Sequence, residues 1–369
     1  MDQVKPYPKQ YYQDYLNLEK ILNSQHLLSQ KYGHSAHDEM LFIIVHQVYE
    51  LWFKQILYEL DSLLEIFHKD EIQESHISWG AARLERIIEI QKILIDQITV
   101  LETMTPMDFL DFRDFLIPAS GFQSVQFRMI ENKLGLCPKD RYAYGDTNYC
   151  TYLNKIDQQK VRESESPLSL FDLMEKWLER TPFLDWGSTS FWHEYESAVQ
   201  AMLSSDRHLI ETNDKLSETE KEKHLLEYNK TEASFGAVLD SKEHAKLVKV
   251  GKWRLSHKAT QAALLIYLYR DQPILDNPYQ LLTKICNVDE LFTTWRYRHA
   301  LMVSRMIGRK IGTGGSTGSD YLNKTAEKHR IFSDISELTT FLIPRSALPQ
   351  LPQEVANNLG FFYHHVKGK

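Results

Sequence analysis

Residues 37–57 read HDEMLFIIVHQVYELWFKQIL, and their spacing decides the fold class. Leu41, Val45, Val48, Trp52 and, just beyond the run, Leu60 recur at close to the helical interval, while Glu50, Lys54 and Glu59 fall elsewhere around the wheel. A half-buried strand would alternate with a period of two, which this run does not, so one long helix is expected over residues 36–67. The reading extends outward. Residues 81–104 carry Leu84, Ile87, Ile88, Leu94, Ile95, Ile98 and Leu101 on a helical period, and 122–134, 255–270 and 288–308 are further apolar helical stretches. The last has Asp289 and Glu290 near its start and Gly308 at its end, where helix dipoles and caps favour them.

Only 15 Gly and 12 Pro occur in 369 residues, few for the tight turns that a strand-rich fold needs. The expectation is an all-α single domain: a helical bundle core with halves at about 34–137 and 251–346, a charged helical insertion at about 138–250, and an N-terminal segment 1–33. A hydrophobic content of 43% with 12% aromatics is enough for a substantial core. The net charge of −7, without a block of like charges, argues against a nucleic-acid partner. Cys137, Cys150 and Cys286 are scattered with no CxxC spacing, which suggests a reducing compartment. The opening MDQVKPYPKQYYQDYL lacks the apolar stretch of a signal peptide, and no window approaches the ~18 apolar residues of a membrane span. A cytoplasmic protein with no membrane partner is expected.

Three places could carry chemistry. His46 lies four residues after Phe42 and so on the same helical face. A hydrogen-bonded core histidine is the commoner meaning of such a position; an acid/base or ligand-orienting imidazole in an aromatic pocket is the sharper one. In FLDFRDFLIPASGFQSVQFR, residues 109–128, Arg113 sits among Phe109, Phe112 and Phe115, and Arg128 follows Phe127. Guanidiniums among aromatics often stack structurally, yet Arg113 could also clamp a carboxylate bidentately, beside a helix broken by residues 118–121. In WRYRHALMVSRMIG, residues 295–308, His299 follows Trp295 by one turn, with Arg296 and Arg298 close by. A lone helical histidine is usually structural, but a neutral imidazole is also the usual proximal ligand of haem iron, and nearby arginines suit propionates.

Other candidates fail on spacing. The Gly-rich run 312–318, GTGGSTG, has Thr317 where a dinucleotide fingerprint needs Gly or Ala, follows a helix instead of a strand, and lacks the Lys-Ser/Thr pair of a P-loop. A substrate-covering loop suits it better. His34 and His37, and the adjacent His364 and His365, lack the carboxylate or cysteine company of a metal site and are read as solvent or cap residues.

The three runs above, with YLNLEKIL at 15–22, WLERTP at 177–182 and LSHKATQAALLIYLYRDQP at 255–273, closely resemble the tryptophan 2,3-dioxygenase family over most of residues 11–137 and 251–347. The resemblance implies a haem-containing helical core with haem b, one iron per subunit. It further implies cleavage of the indole C2–C3 bond of L-tryptophan by O2 to N-formyl-L-kynurenine, the first step of the kynurenine route. By the same resemblance His299 is the proximal iron ligand, His46 faces the substrate indole with Phe42, Arg113 binds the substrate carboxylate with Phe109 beside it, and Thr313 meets the ammonium. Ser120 and Gly121 match the haem edge, Arg128 and Trp295 the haem environment. Tyr12 and Tyr15 match tyrosines that complete a neighbouring subunit's site in a homotetramer. Departures are few: Met40 and Val48 stand where His and Ala are expected, Ser304 where a second His often follows the axial one, and Ser319-Asp320 replaces a more aromatic or amide-bearing pair.

Overall fold

The computed structural model describes residues 7, 9–138, 141, 150, 153–165, 167–187, 189–308, 310 and 318–361, with the backbone alone at 318–321. Among them the regular structure is helical, and the extended pairing is one isolated bridge, Asp185 to Ser190. Three short helices, α1 (Tyr12–Leu16), α2 (Leu18–Leu22) and α3 (Leu28–Lys31), lead into the expected long helix α4 (Glu39–Phe67). Glu39, buried at the head of α4, accepts the amides of Leu28 (2.8 Å) and Ser29 (3.0 Å) and so ties α3 to the core.

The N-terminal segment departs from its expected form. Tyr12, Tyr15, Leu18 and Leu22 have helical spacing, but Asn17 takes left-handed backbone angles (φ 51°, ψ 41°) and separates α1 from α2. Asparagine tolerates that region better than most residues, so the face expected to be continuous is bent.

The central layer is α4, α5 (Glu74–Leu101) and α14 (Pro273–Ile307). Gln97 donates to the carbonyl of Val45, the Tyr49 hydroxyl to that of Leu94, and Arg86 pairs with Glu59. One number falls as the other rises, so α4 and α5 run antiparallel. The contacts Lys284–Glu85, Gln91–Val288 and Arg298–Glu102 rise together, so α14 runs parallel to α5. α14 begins at Pro273, well before the expected 288, because Pro273 occupies its first turn, where no amide is needed, and the interior Pro278 is accommodated in the core.

The edge of this layer is completed by α6 (Pro106–Arg113) and α7 (Val125–Leu134), then by α8 (Lys155–Glu165), α9 (Leu170–Glu179), α10 (Phe191–Glu211), α11 (Glu218–Leu239), α12 (Ser241–Lys249) and α13 (His257–Leu268), with α15 (Gly318–Lys328), α16 (Ser333–Glu337) and α17 (Gln353–Leu359) closing the chain. α6 starts with a capping box in which Thr105 and Asp108 exchange bonds and Pro106 opens the helix. α7 ends at Gly135 (φ 118°), where a Cβ would lie 2.7 Å from that of Phe171, so glycine alone allows α9 this close. Within the stretch 138–250, Leu170, Phe171, Leu173, Phe191 and Tyr195 join the same buried cluster as α4, α5 and α14, so this stretch adds to the core as well as to the surface.

Candidate active site

The helices enclose a cavity of about 300 Å³ between α4, α6, the segment 120–131 and α14. Its lining includes Phe42, His46, Phe109, Arg113, Ser120, Gly121, Arg128, Trp295 and His299, nine of the twelve positions singled out in the sequence. Thr313 lies outside the described residues, as do His364 and His365. Tyr12 and Tyr15 are not in the lining; they stand on the surface of the chain, 74% and 73% exposed.

His46 reaches the cavity from the N-terminal third of α4. Its Nδ1 lies 2.7 Å from the carbonyl oxygen of Phe42. A carbonyl only accepts, so Nδ1 carries the proton and the neutral ring offers the Nε2 lone pair. Surrounding protein lowers the proton affinity of His46, although the Phe42 carbonyl and the charge of Glu50 oppose the shift. Phe42 packs on this imidazole with ring centroids 4.1 Å apart and meets Phe109 (5.8 Å) and Phe112 (5.5 Å) of α6. An aromatic wall therefore joins the histidine to the helix that ends in Arg113. The Arg113 side chain is 16% exposed and lies 3.5 Å from the exposed carboxylate of Asp114.

His299 comes from α14, stacked on Trp295. Burial drops its pKa to about 4, and the nearby His46 imidazole adds to the effect because both rings would resist being protonated together, so the ring is neutral at physiological pH. Among the described residues nothing hydrogen-bonds it. Ser120 caps the turn Gly121–Gln123, its hydroxyl accepting from the amide of Phe122.

Part of the lining belongs to a cluster that the sequence did not announce. Glu131 is buried and meets Arg128 (3.0 Å), Arg141 (2.6 Å), Arg296 (3.0 Å) and the Nδ1 of His329 (3.5 Å). Burial pushes its carboxyl up, but the guanidiniums of Arg141 and Arg128, the adjacent His329 ring and Arg296 together hold it well below the usual range. The i,i+3 pair Arg128–Glu131 was visible in sequence; Arg141, Arg296 and His329 come from distant segments and leave no local signal.

Fold and site define an all-helical protein with an apolar cavity, imidazoles entering it from two different helices and arginines on its lining. The family model of tryptophan 2,3-dioxygenase matches residues 5–342. The chain is 52% identical to the tryptophan 2,3-dioxygenase of Bdellovibrio bacteriovorus, over 97% of this chain and 99% of the relative. It is 48% identical to that of Alteromonas mediterranea (95% and 97% covered) and 46% to that of Xenopus tropicalis (92% and 84%). The chain belongs to the tryptophan 2,3-dioxygenase family.

Proposed function

We propose that this chain is a haem-dependent dioxygenase that opens the indole C2–C3 bond of L-tryptophan with O2, yielding N-formyl-L-kynurenine. The observation that carries the reading is the convergence of His46, His299 and Arg113, from three helices, on one cavity.

The residues fit haem b. A large planar ring needs apolar walls, which Phe53, Ile98, Leu101, Met302 and Met306 provide. Iron needs a neutral nitrogen donor, and the His299 imidazole has no competing hydrogen bond among the described residues. Carboxylate tails need cations, and Arg128 and Arg296 are on the lining. No heavy atom lies within 4 Å of where a Cβ on Gly121 would stand, which leaves room at the proposed haem edge beside Ser120. When bound, the haem supplies the activation of O2.

The chain's own residues bind and orient the substrate. Arg113 clamps the carboxylate and Thr313 meets the ammonium, fixing both ends of the amino acid. His46 accepts the indole N–H at Nε2, which disfavours rings without that proton. Phe42 and Phe109 flank the ring. The functional unit is a homotetramer in which Tyr12 and Tyr15, exposed on the single chain, complete a neighbour's site. The location is cytoplasmic, a reading supported by three cysteines that form no disulfide; among the described residues no helix is long and apolar enough to cross a membrane.

Absorption spectroscopy of protein produced with added haem tests this. A Soret band that shifts with L-tryptophan, and formation of N-formyl-L-kynurenine when the reduced protein meets O2, are expected. A colourless or inactive preparation would overturn it.

A further inference from the structure

The geometry points to Glu50 as a positioning residue: its carboxylate locks the 120–128 wall of the cavity to the helix that carries His46. Glu50 lies one turn beyond His46 on α4 and is itself part of the cavity lining. Its two oxygens are divided between two donors. Ser124 Oγ donates to Oε1 at 2.6 Å, and Gln126 Nε2 donates to Oε2 at 2.8 Å. The same Gln126 amide also reaches the backbone carbonyl of Glu50 at 2.8 Å.

Both donors stand at a decisive place. Ser124 caps α7, its hydroxyl accepting the amide of Phe127 at 3.3 Å while donating to Glu50. The carboxylate thus sits at the N-terminal end of α7, where free amides and the helix dipole favour negative charge. Just before this cap, the turn Gly121–Gln123 carries Ser120 and Gly121 to the lining, and just after it α7 carries Phe127, Arg128 and Glu131. Beside the Phe53–Phe127 contact and the Lys133–Asp61 pair that also join α4 to α7, Glu50 is the link nearest His46 and so helps to fix the placing of the 120–128 wall. Charge-assisted hydrogen bonds are the strong kind, so the lock is stiff. A plain surface contact would not be placed inside the lining, and would not join the two walls between which a substrate must be aligned.

The proposal rests on the dioxygenase reading, so turnover by the wild-type holoenzyme is measured first; failure there overturns that reading and not the lock. With an active wild type, Glu50→Ala is expected to lower kcat by roughly tenfold to a hundredfold through misalignment of bound substrate. Haem content and thermal midpoint should stay near wild type, and saturating L-tryptophan should still shift the Soret band. Glu50→Gln, which keeps the shape and one acceptor, should recover part of the loss. Ser124→Ala combined with Glu50→Ala should cost little more than Glu50→Ala alone, because both act through one contact. Unchanged kcat in Glu50→Ala, a loss explained by lost haem or lost folding in both Glu50→Ala and Glu50→Gln, or a loss in the double variant equal to the sum of those in Glu50→Ala and in Ser124→Ala alone would each overturn the assignment.

Discussion

The imidazole of His299 lies on the indole of Trp295, ring centroids 5.4 Å apart and planes within 9° of parallel, one turn apart on α14. Trp295 is held in turn by Phe127 (5.1 Å) and, edge-on, by Tyr49 (6.1 Å). Offset aromatic contacts of this kind are worth about 0.5–1.5 kcal/mol each beyond area burial, so the stack restricts the orientation of the histidine. His299→Ala is expected to abolish stable haem loading, read as loss of the Soret band. Trp295→Leu should leave the ligand present but loosen it, giving partial loading and faster haem loss to an acceptor protein. Normal spectra and turnover in His299→Ala would defeat the assignment of the ligand.

Arg113 ends α6 beside the aromatic wall of Phe42 and Phe109, and the carboxylate of Asp114, 3.5 Å away, is largely in solvent. Removing one partner of a buried charged pair costs ~2–5 kcal/mol, so Arg113→Ala should lower kcat/KM for L-tryptophan by about 30-fold or more. Tryptamine, which has no carboxylate, should be a poor substrate for the wild type and lose little further in the variant. Equal losses for both substrates would rule out the pairing.

Much of this was legible in the sequence, because the chemistry sits on elements with strong local signals. The spacing of Phe42 and His46 survives on α4, and His299 follows Trp295 on a helix as read. Three things were hidden. Pro278 disguised the first half of α14, since proline inside a helix ordinarily marks a break. Glu50 fell away from the apolar stripe of α4 and carried no local sign of a site, yet Ser124 and Gln126 both bond to it. The Glu131 cluster joins α7, α14 and residues 141 and 329, which only the tertiary fold brings together.

His46 should tune activity more than create it. Its Nδ1 proton is committed to Phe42, so Nε2 can accept the indole N–H. His46→Ala is expected to keep measurable turnover while binding L-tryptophan more weakly. A substrate methylated on the indole nitrogen should discriminate poorly between variant and wild type. Complete inactivity in a variant that still holds haem and substrate would instead make His46 an obligatory base.

Glu131 makes stability depend on acid. Its folded pKa lies well below the unfolded value of 4.5, so its contribution is fully present above that pH. The contribution falls away as pH drops below 4.5 toward the folded value. Glu131→Gln leaves buried guanidiniums without their shared carboxylate, a change that costs about 3–5 kcal/mol. Urea midpoints at neutral pH should fall sharply for the variant, and the gap to wild type should narrow as the solution is acidified below pH 4.5. A gap that stays constant through that range would show that the carboxylate's charge is not what stabilises the cluster.

The exposed tyrosines of the N-terminal segment give the last prediction. Tyr11, Tyr12 and Tyr15 are each more than two-thirds exposed, and Leu22 at the end of α2 is 68% exposed. Apolar rings left this open on a single chain are a typical mark of an interaction surface. Packing against the same subunit would have hidden them, and the bend at Asn17 directs α1 and α2 as two short pieces instead of one rod. If Tyr12 and Tyr15 finish the site of a neighbour, deletion of residues 1–20 should impair turnover while His299 still holds haem. Mixing that deletion with full-length chains carrying His299→Ala should then restore some active sites, each with a haem-bearing chain from one parent and an N-terminus from the other. Mass measurement confirms that mixed assemblies have formed. Mixed assemblies without any recovery of turnover would mean that the segment serves its own subunit.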